Sequence, residues 1–114
     1  MPEQGDIVLT PMPFTDLSAQ KQRPVIVISN DEYNRRNLDI VVVAMTSNPL
    51  AGRYAFTISS SDLERGKPNR PGQVRVDKLY TLSQSIVVKT FGRVDVATLD
   101  HIRGLLHDLT SKKP

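Results

Sequence analysis

The sequence predicts a mainly β protein: a small, strongly curved antiparallel barrel with one C-terminal α-helix packed against it. Three observations carry this reading. Apolar, β-branched runs of strand length recur along the chain; Gly, Pro, Asn and Ser interrupt them at short intervals; and only the last stretch repeats its apolar residues at three- and four-residue spacing. The 114 residues, 1–114, fit one domain with a single core.

Asp6 to Thr10 forms the first expected strand, entered through Gly5 and closed by Pro11 and Pro13, which have no N–H to give a ladder. Phe14 to Gln22 has no apolar period and reads as an exposed loop. Arg23-Pro24 then opens Val25 to Ile28, a continuous apolar run suited to a strand buried on both faces. Asn30 to Asn37 predicts a turn with one helical turn, capped by Asn30 or Asp31. Asp39 to Met45 is a second doubly buried strand, stopped by Thr46-Ser47-Asn48-Pro49.

Arg53 to Ile58 alternates, with Tyr54, Phe56 and Ile58 on one side of a half-buried strand. Ser59 to Pro71 is polar and rich in breakers, hence a loop. In Gly72 to Lys78, Val74 and Val76 alternate with Gln73, Arg75 and Asp77, so the three polar side chains share one face. Leu79 to Leu82 and Ile86 to Thr90 read as two further short strands. Asp95 is placed to cap a closing helix whose apolar stripe is Val96, Leu99, Ile102, Leu106 and Leu109. Gly104 weakens that helix by about 1 kcal/mol relative to Ala.

Composition narrows the chemistry. The absence of Cys excludes a disulfide framework, a thiolate zinc site and a cysteine nucleophile. Met1 to Gly5 lacks the basic and apolar regions of a signal peptide, and no apolar run nears the roughly 20 residues needed to span a bilayer. A soluble, cytoplasmic protein without a membrane partner is expected. Net charge is +3, and Lys21, Arg23, Arg53, Arg65, Lys67, Arg70, Arg75, Lys78, Lys89 and Arg93 fall in or beside the strand segments. That distribution suits a basic face for a polyanion.

His101 and His107 sit on the closing helix, six residues apart and on different faces, as ordinary surface residues. Neither a metal-ligand spacing nor a glycine-rich phosphate loop is present, so no cofactor is implied. An enzyme built from this chain works with Arg, Asp, Thr, Ser and Lys. Cleavage of RNA by its own 2′-hydroxyl needs no more than that: a base for the 2′-oxygen, cations for the phosphorane charge and a proton for the departing 5′-oxygen. Asp77 suits the base, while Arg75 and Arg23 match phosphate oxygens with their guanidinium forks. Thr46 and Ser47, at a strand end, can contact a phosphate, although a turn with Asn48-Pro49 explains them equally well. Tyr54, Phe56 or Tyr80 can stack unpaired bases. The plainer alternatives are a solvated ion pair for Arg75 and Asp77 and a solvated strand end for Arg23.

Taken in order, Gly5-Asp6-Ile7-Val8, Arg23-Pro24-Val25-Ile26-Val27 after a polar loop, Thr46-Ser47 and Gln73-Val74-Arg75-Val76-Asp77 resemble the MazF/PemK family of toxin endoribonucleases. The resemblance implies an SH3-like barrel, a two-fold homodimer and sequence-selective cleavage of single-stranded RNA to a 2′,3′-cyclic phosphate. It further implies neutralisation by a cognate acidic antitoxin, with DNA contacted only indirectly through that antitoxin. Residue by residue, it assigns catalysis to Arg75 and Asp77 and places Arg23, Thr46 and Ser47 at the RNA site; the residues themselves add Arg23 to the expected catalytic set and Gln73, Lys78, Tyr54 and Phe56 to the expected RNA-binding one. The chain departs from the family pattern at Ser18 to Gln22, where some members carry His or Glu. The competing reading is a barrel protein of this type that does not cut RNA, binding either RNA or a protein target as CcdB-like topoisomerase poisons do.

Overall fold

The computed structural model describes residues 1–11, 22–47, 52–66 and 72–113. Seven strands form one antiparallel sheet: β1 (Asp6–Pro11), β2 (Gln22–Val27), β3 (Asp39–Thr46), β4 (Ala55–Ile58), β5 (Leu63–Arg65), β6 (Gly72–Ser83) and β7 (Lys89–Val94). Two helices complete the chain, α1 (Asp31–Arg36) and α2 (Val96–Thr110). The sheet order is β4-β6-β3-β2-β1-β7-β5, so β4 and β5 are the edges of a curled sheet. This is the mainly β architecture with a C-terminal helix that the sequence predicts.

Both central strands are buried on both faces, as their unbroken apolar runs require. Ile26, Val43 and Met45 join one cluster with Ile7, Ile58, Val74, Val76, Val94 and Ile102. Their neighbours Val25, Val27, Ile40 and Val42 join Val8 in a second cluster on the other face. Side chains that alternate along a strand thus fill two cores rather than one core and a wet surface. Helix α2 covers the first cluster, with Ile102 fully buried; truncating it to Ala costs about 3 kcal/mol.

Local chemistry fixes the element ends. The Asp95 side chain accepts the Thr98 N–H at 2.8 Å and starts α2 where expected. Asn30 does the same for α1, accepting the Tyr33 N–H at 2.8 Å. Gly5 adopts φ 91°, a turn conformation that L side chains resist, and its N–H donates to the Val27 carbonyl at 2.7 Å as the chain enters β1.

Several sequence expectations change. Leu79 to Leu82 is not a separate strand but the second half of β6, a 12-residue strand; a 3-10 turn at Gln84–Ile86 then leads to β7, which starts at Lys89 and runs on to Val94. Strand β3, paired along both halves of β6, holds it as one element. The polar stretch after Ser59 contains a 3-10 turn and the short edge strand β5, which pairs with β7 despite its weak pattern. The helical stripe is narrower than its spacing implies: Leu99, Ile102 and Leu106 pack on the core, whereas Val96 and Leu109 are exposed. Gln22 belongs to β2, and the rest of the expected loop, Phe14 to Lys21, lies outside the described residues. No helix among the described residues is long and apolar enough to cross a membrane.

Candidate nucleic-acid interface

Strand β6 builds the site, and a slip in its pairing shapes it. Leu79 stands opposite Val43, yet Arg75 stands opposite the adjacent Ala44, so Val76, Asp77 and Lys78 are extra residues facing a single step of β3. Such a bulge bends a strand and re-aims its side chains. Val76 stays anchored, its side chain fully buried and its N–H donating to the Tyr54 carbonyl at 2.9 Å. Asp77 and Lys78 are thereby left at the surface.

Arg75 and Asp77 meet in a two-bond fork. Arg75 Nε donates to Asp77 Oδ1 at 2.9 Å and Arg75 Nη2 donates to Asp77 Oδ2 at 2.8 Å. Both side chains keep solvent access, 24% and 37% exposed. The hydrogen bonds from Arg75, opposed by partial burial and reinforced by the Arg75 and Lys78 charges, hold the Asp77 carboxyl below the usual carboxylate range. The same bonds from the other side raise Arg75 above its ordinary value. The resting pair is therefore fully ionised at neutral pH.

The strand registers place further polar side chains on this face. Arg75 lies opposite Ala44 on β3 and Ala55 on β4, whose small side chains leave the guanidinium uncovered. One row along, Gln73 stands between Thr46 on β3 and Thr57 on β4. Arg23 is opposite Thr10 on β1, and two residues beyond the Val25–Ala44 pair lie Arg23 and Thr46, so both share the face of Arg75. Thr10 is fully buried, with its Oγ1 lacking a hydrogen-bond partner among the described residues. Ser47 is exposed just past the end of β3.

Tyr54 and Phe56 are not brought to this surface. Phe56 pairs with Val74, on the face covered by α2, and its ring lies 4.1 Å from that of His101. Tyr54 packs on the same core and its hydroxyl donates to Asp108 at 3.2 Å. Tyr80 is half-buried against the second cluster. Tyr54 and Phe56 thus serve packing, whereas Tyr80, opposite Val42, shares the face of Arg75 and is near enough to act on its guanidinium electrostatically, beside the Arg, Asp, Gln and Thr side chains. Thr57 and Thr10 went unnoticed in the sequence. The alternation that sends Phe56 inward also sends Thr57 outward, so the signal for Thr57 was present.

Chemically, this face offers guanidinium groups for phosphate oxygens, a carboxylate able to accept a proton and hydroxyl and amide groups for orientation. Among the described residues, no three His, Asp or Glu side chains gather within metal-binding reach.

Comparison with solved structures finds the same fold across the whole chain. An endoribonuclease in complex with its cognate antitoxin from a mycobacterial species superposes with a TM-score of 0.76 at 21% identity, covering 100% of both chains. A second mycobacterial endoribonuclease gives a TM-score of 0.76 at 24% identity, covering 99% of this chain and 95% of that one. The MazE-MazF complex of Deinococcus radiodurans gives 0.76 at 22% identity, covering 95% and 94%. No curated protein sequence matches the chain. At these identities the structural likeness establishes the fold, and the sequence itself supplies the family. The model of the PemK-like, MazF-like toxins of type II toxin-antitoxin systems matches residues 3–110, and the chain belongs to that family.

Proposed function

We propose that the protein is a metal-independent endoribonuclease that cuts single-stranded RNA at selected sequences. The reading rests on the solvent-facing Arg75–Asp77 fork, set in a row of phosphate-compatible side chains. Family membership and the endoribonuclease neighbours support it.

In the resting state Asp77 is too strongly held by Arg75 to be a good base. An RNA phosphate competes for the same guanidinium fork, because carboxylate and phosphate oxygens fit it alike. Once Arg75 turns to the phosphate, Asp77 loses the bonds that depress its pKa and takes the proton of the 2′-hydroxyl. The 2′-oxygen attacks phosphorus, Arg75 and Arg23 stabilise the phosphorane charge, and the bond to the 5′-oxygen breaks. The products are a 2′,3′-cyclic phosphate and a 5′-hydroxyl, the leaving oxygen being protonated from solvent because an arginine is a poor acid. Thr46, Ser47, Gln73 and Lys78 orient the strand.

The working form is a homodimer restrained by a cognate antitoxin, whose acidic segment folds over the basic face and shields the fork. The antitoxin-bound neighbours support that partner class. Incubating the purified protein with single-stranded RNA in EDTA tests the activity. Fragments ending in cyclic phosphate are the expected result; RNA that is bound but left intact would identify a non-cleaving barrel protein instead.

A further inference from the structure

We propose that Tyr80 is the proton donor to the departing 5′-oxygen, a phenol brought beside the Arg75–Asp77 fork by the bulge of β6. The inference rests on the reading of this face as an RNA-cleaving site and names the group through which the solvent proton reaches the leaving oxygen.

Counting along a regular strand would keep Tyr80 out of the site. It follows Arg75 by an odd number of residues, and such side chains point to opposite faces. The slip after Arg75 reverses that parity. Tyr80 stands opposite Val42 and Arg75 opposite Ala44, two residues apart on β3, so both project from one face roughly 7 Å apart along the ladder. The Tyr80 ring is half-buried against the cluster of Val8, Val25, Val27, Ile40 and Val42, which anchors it. Its phenolate charge acts on Arg75, tightening the hold of the guanidinium on its proton.

Collapse of the phosphorane leaves an electron pair on the 5′-oxygen, and an alkoxide departs poorly without a proton. Asp77 is ionised and takes the 2′-proton, while Arg75 and Arg23 do not release theirs. A phenol keeps its proton at neutral pH and gives it up to an alkoxide. As the bond from phosphorus to the 5′-oxygen breaks, its electron pair stays on that oxygen and the Tyr80 O–H proton joins it. The phenolate, facing the Arg75 guanidinium, recovers a proton from water, and Asp77 returns the 2′-proton to water. Lys78 also carries a proton it can give, yet it is exposed on the bulge, whereas the Tyr80 ring is anchored.

An RNA whose leaving 5′-oxygen is replaced by sulfur separates this role from RNA binding, because a thiolate departs without a proton. Single-turnover cleavage of the oxygen and sulfur substrates is measured for the parent, Tyr80→Phe and Lys78→Met. Tyr80→Phe keeps the ring that packs on the Val42 cluster and removes only the hydroxyl. It should cut the oxygen substrate about a hundredfold more slowly than the parent and the sulfur substrate equally fast. Lys78→Met, which weakens the hold on the strand, should slow both substrates alike. The ratio of the two rates does not depend on how much of a variant is folded, so a loss of stability cannot imitate the result. Equal slowing of both substrates by Tyr80→Phe, slowing of neither, or rescue by sulfur of Lys78→Met instead overturns the inference and leaves the nuclease reading standing. A parent that cuts neither substrate removes the nuclease reading and the inference with it.

Discussion

Two arginine–aspartate pairs in this molecule share a chemistry and differ in everything else. Arg93 joins β7 to β1, donating to Asp6 Oδ1 at 2.8 Å and to Glu3 Oε2 at 2.5 Å. Asp6 is 8% exposed and also accepts the Glu3 N–H at 2.9 Å, so the carboxylate is bound on both oxygens by separate parts of the chain. Arg75 and Asp77 sit on one strand, two residues apart, and each is the other's side-chain partner among the described residues. The first pair closes a cross-strand seam; the second sits on a bulge facing solvent. A guanidinium–carboxylate fork holds structure when both ends are anchored elsewhere. It is available for exchange with a ligand when neither is.

The largest expected effect breaks the exposed pair. Arg75→Ala should lower the cleavage rate by about a thousandfold, measured as initial rates on a labelled RNA. Its stability should stay within about 0.5 kcal/mol of the parent, since an exposed pair contributes little. The mirror experiment is Asp6→Ala, which removes the buried carboxylate and leaves the half-buried Arg93 with Glu3 alone, and should cost about 3 kcal/mol in urea unfolding. Cleavage per folded molecule should be unaltered. A fall in activity without a fall in stability for Asp6→Ala would erase the distinction between the two pairs.

The pH profile sharpens the contrast. Asp77 has a folded-state pKa lowered by Arg75, so its contribution to stability is present above the unfolded value and is lost as pH falls through the folded one. The acid limb of kcat/KM, which reports the free protein, should therefore lie below the ordinary carboxylate range. The limb of kcat should lie higher, because bound phosphate has taken Arg75 from Asp77. Coincident limbs would mean that the fork stays closed during turnover. The smallest effect concerns the aromatic side of β4: Phe56→Leu should cost about 1 kcal/mol and leave base preference unchanged, since that ring packs toward α2 rather than toward RNA.

Much of this contrast was legible in the sequence. The alternation of Val74 and Val76 with Arg75 and Asp77 places the working pair on one face, and two unbroken apolar runs reveal the doubly buried strands. Two features were not legible. The bulge after Arg75 arises from the β3 register, a long-range match that no local pattern encodes. The direction of Tyr54 and Phe56 was also hidden, because period-two alternation separates two faces without saying which one a helix will cover. The Arg93–Asp6 seam spans 87 residues of sequence and depends on tertiary pairing alone.

The most direct test of the central claim uses an oligodeoxynucleotide containing one ribonucleotide, incubated in EDTA with the parent protein, Arg75→Ala and Asp77→Ala. The account predicts a single cut by the parent immediately 3′ of the ribose, ending in a cyclic phosphate, with both variants slowed at least a hundredfold. Cutting at deoxyribose positions, or equal cutting by either variant, would contradict it.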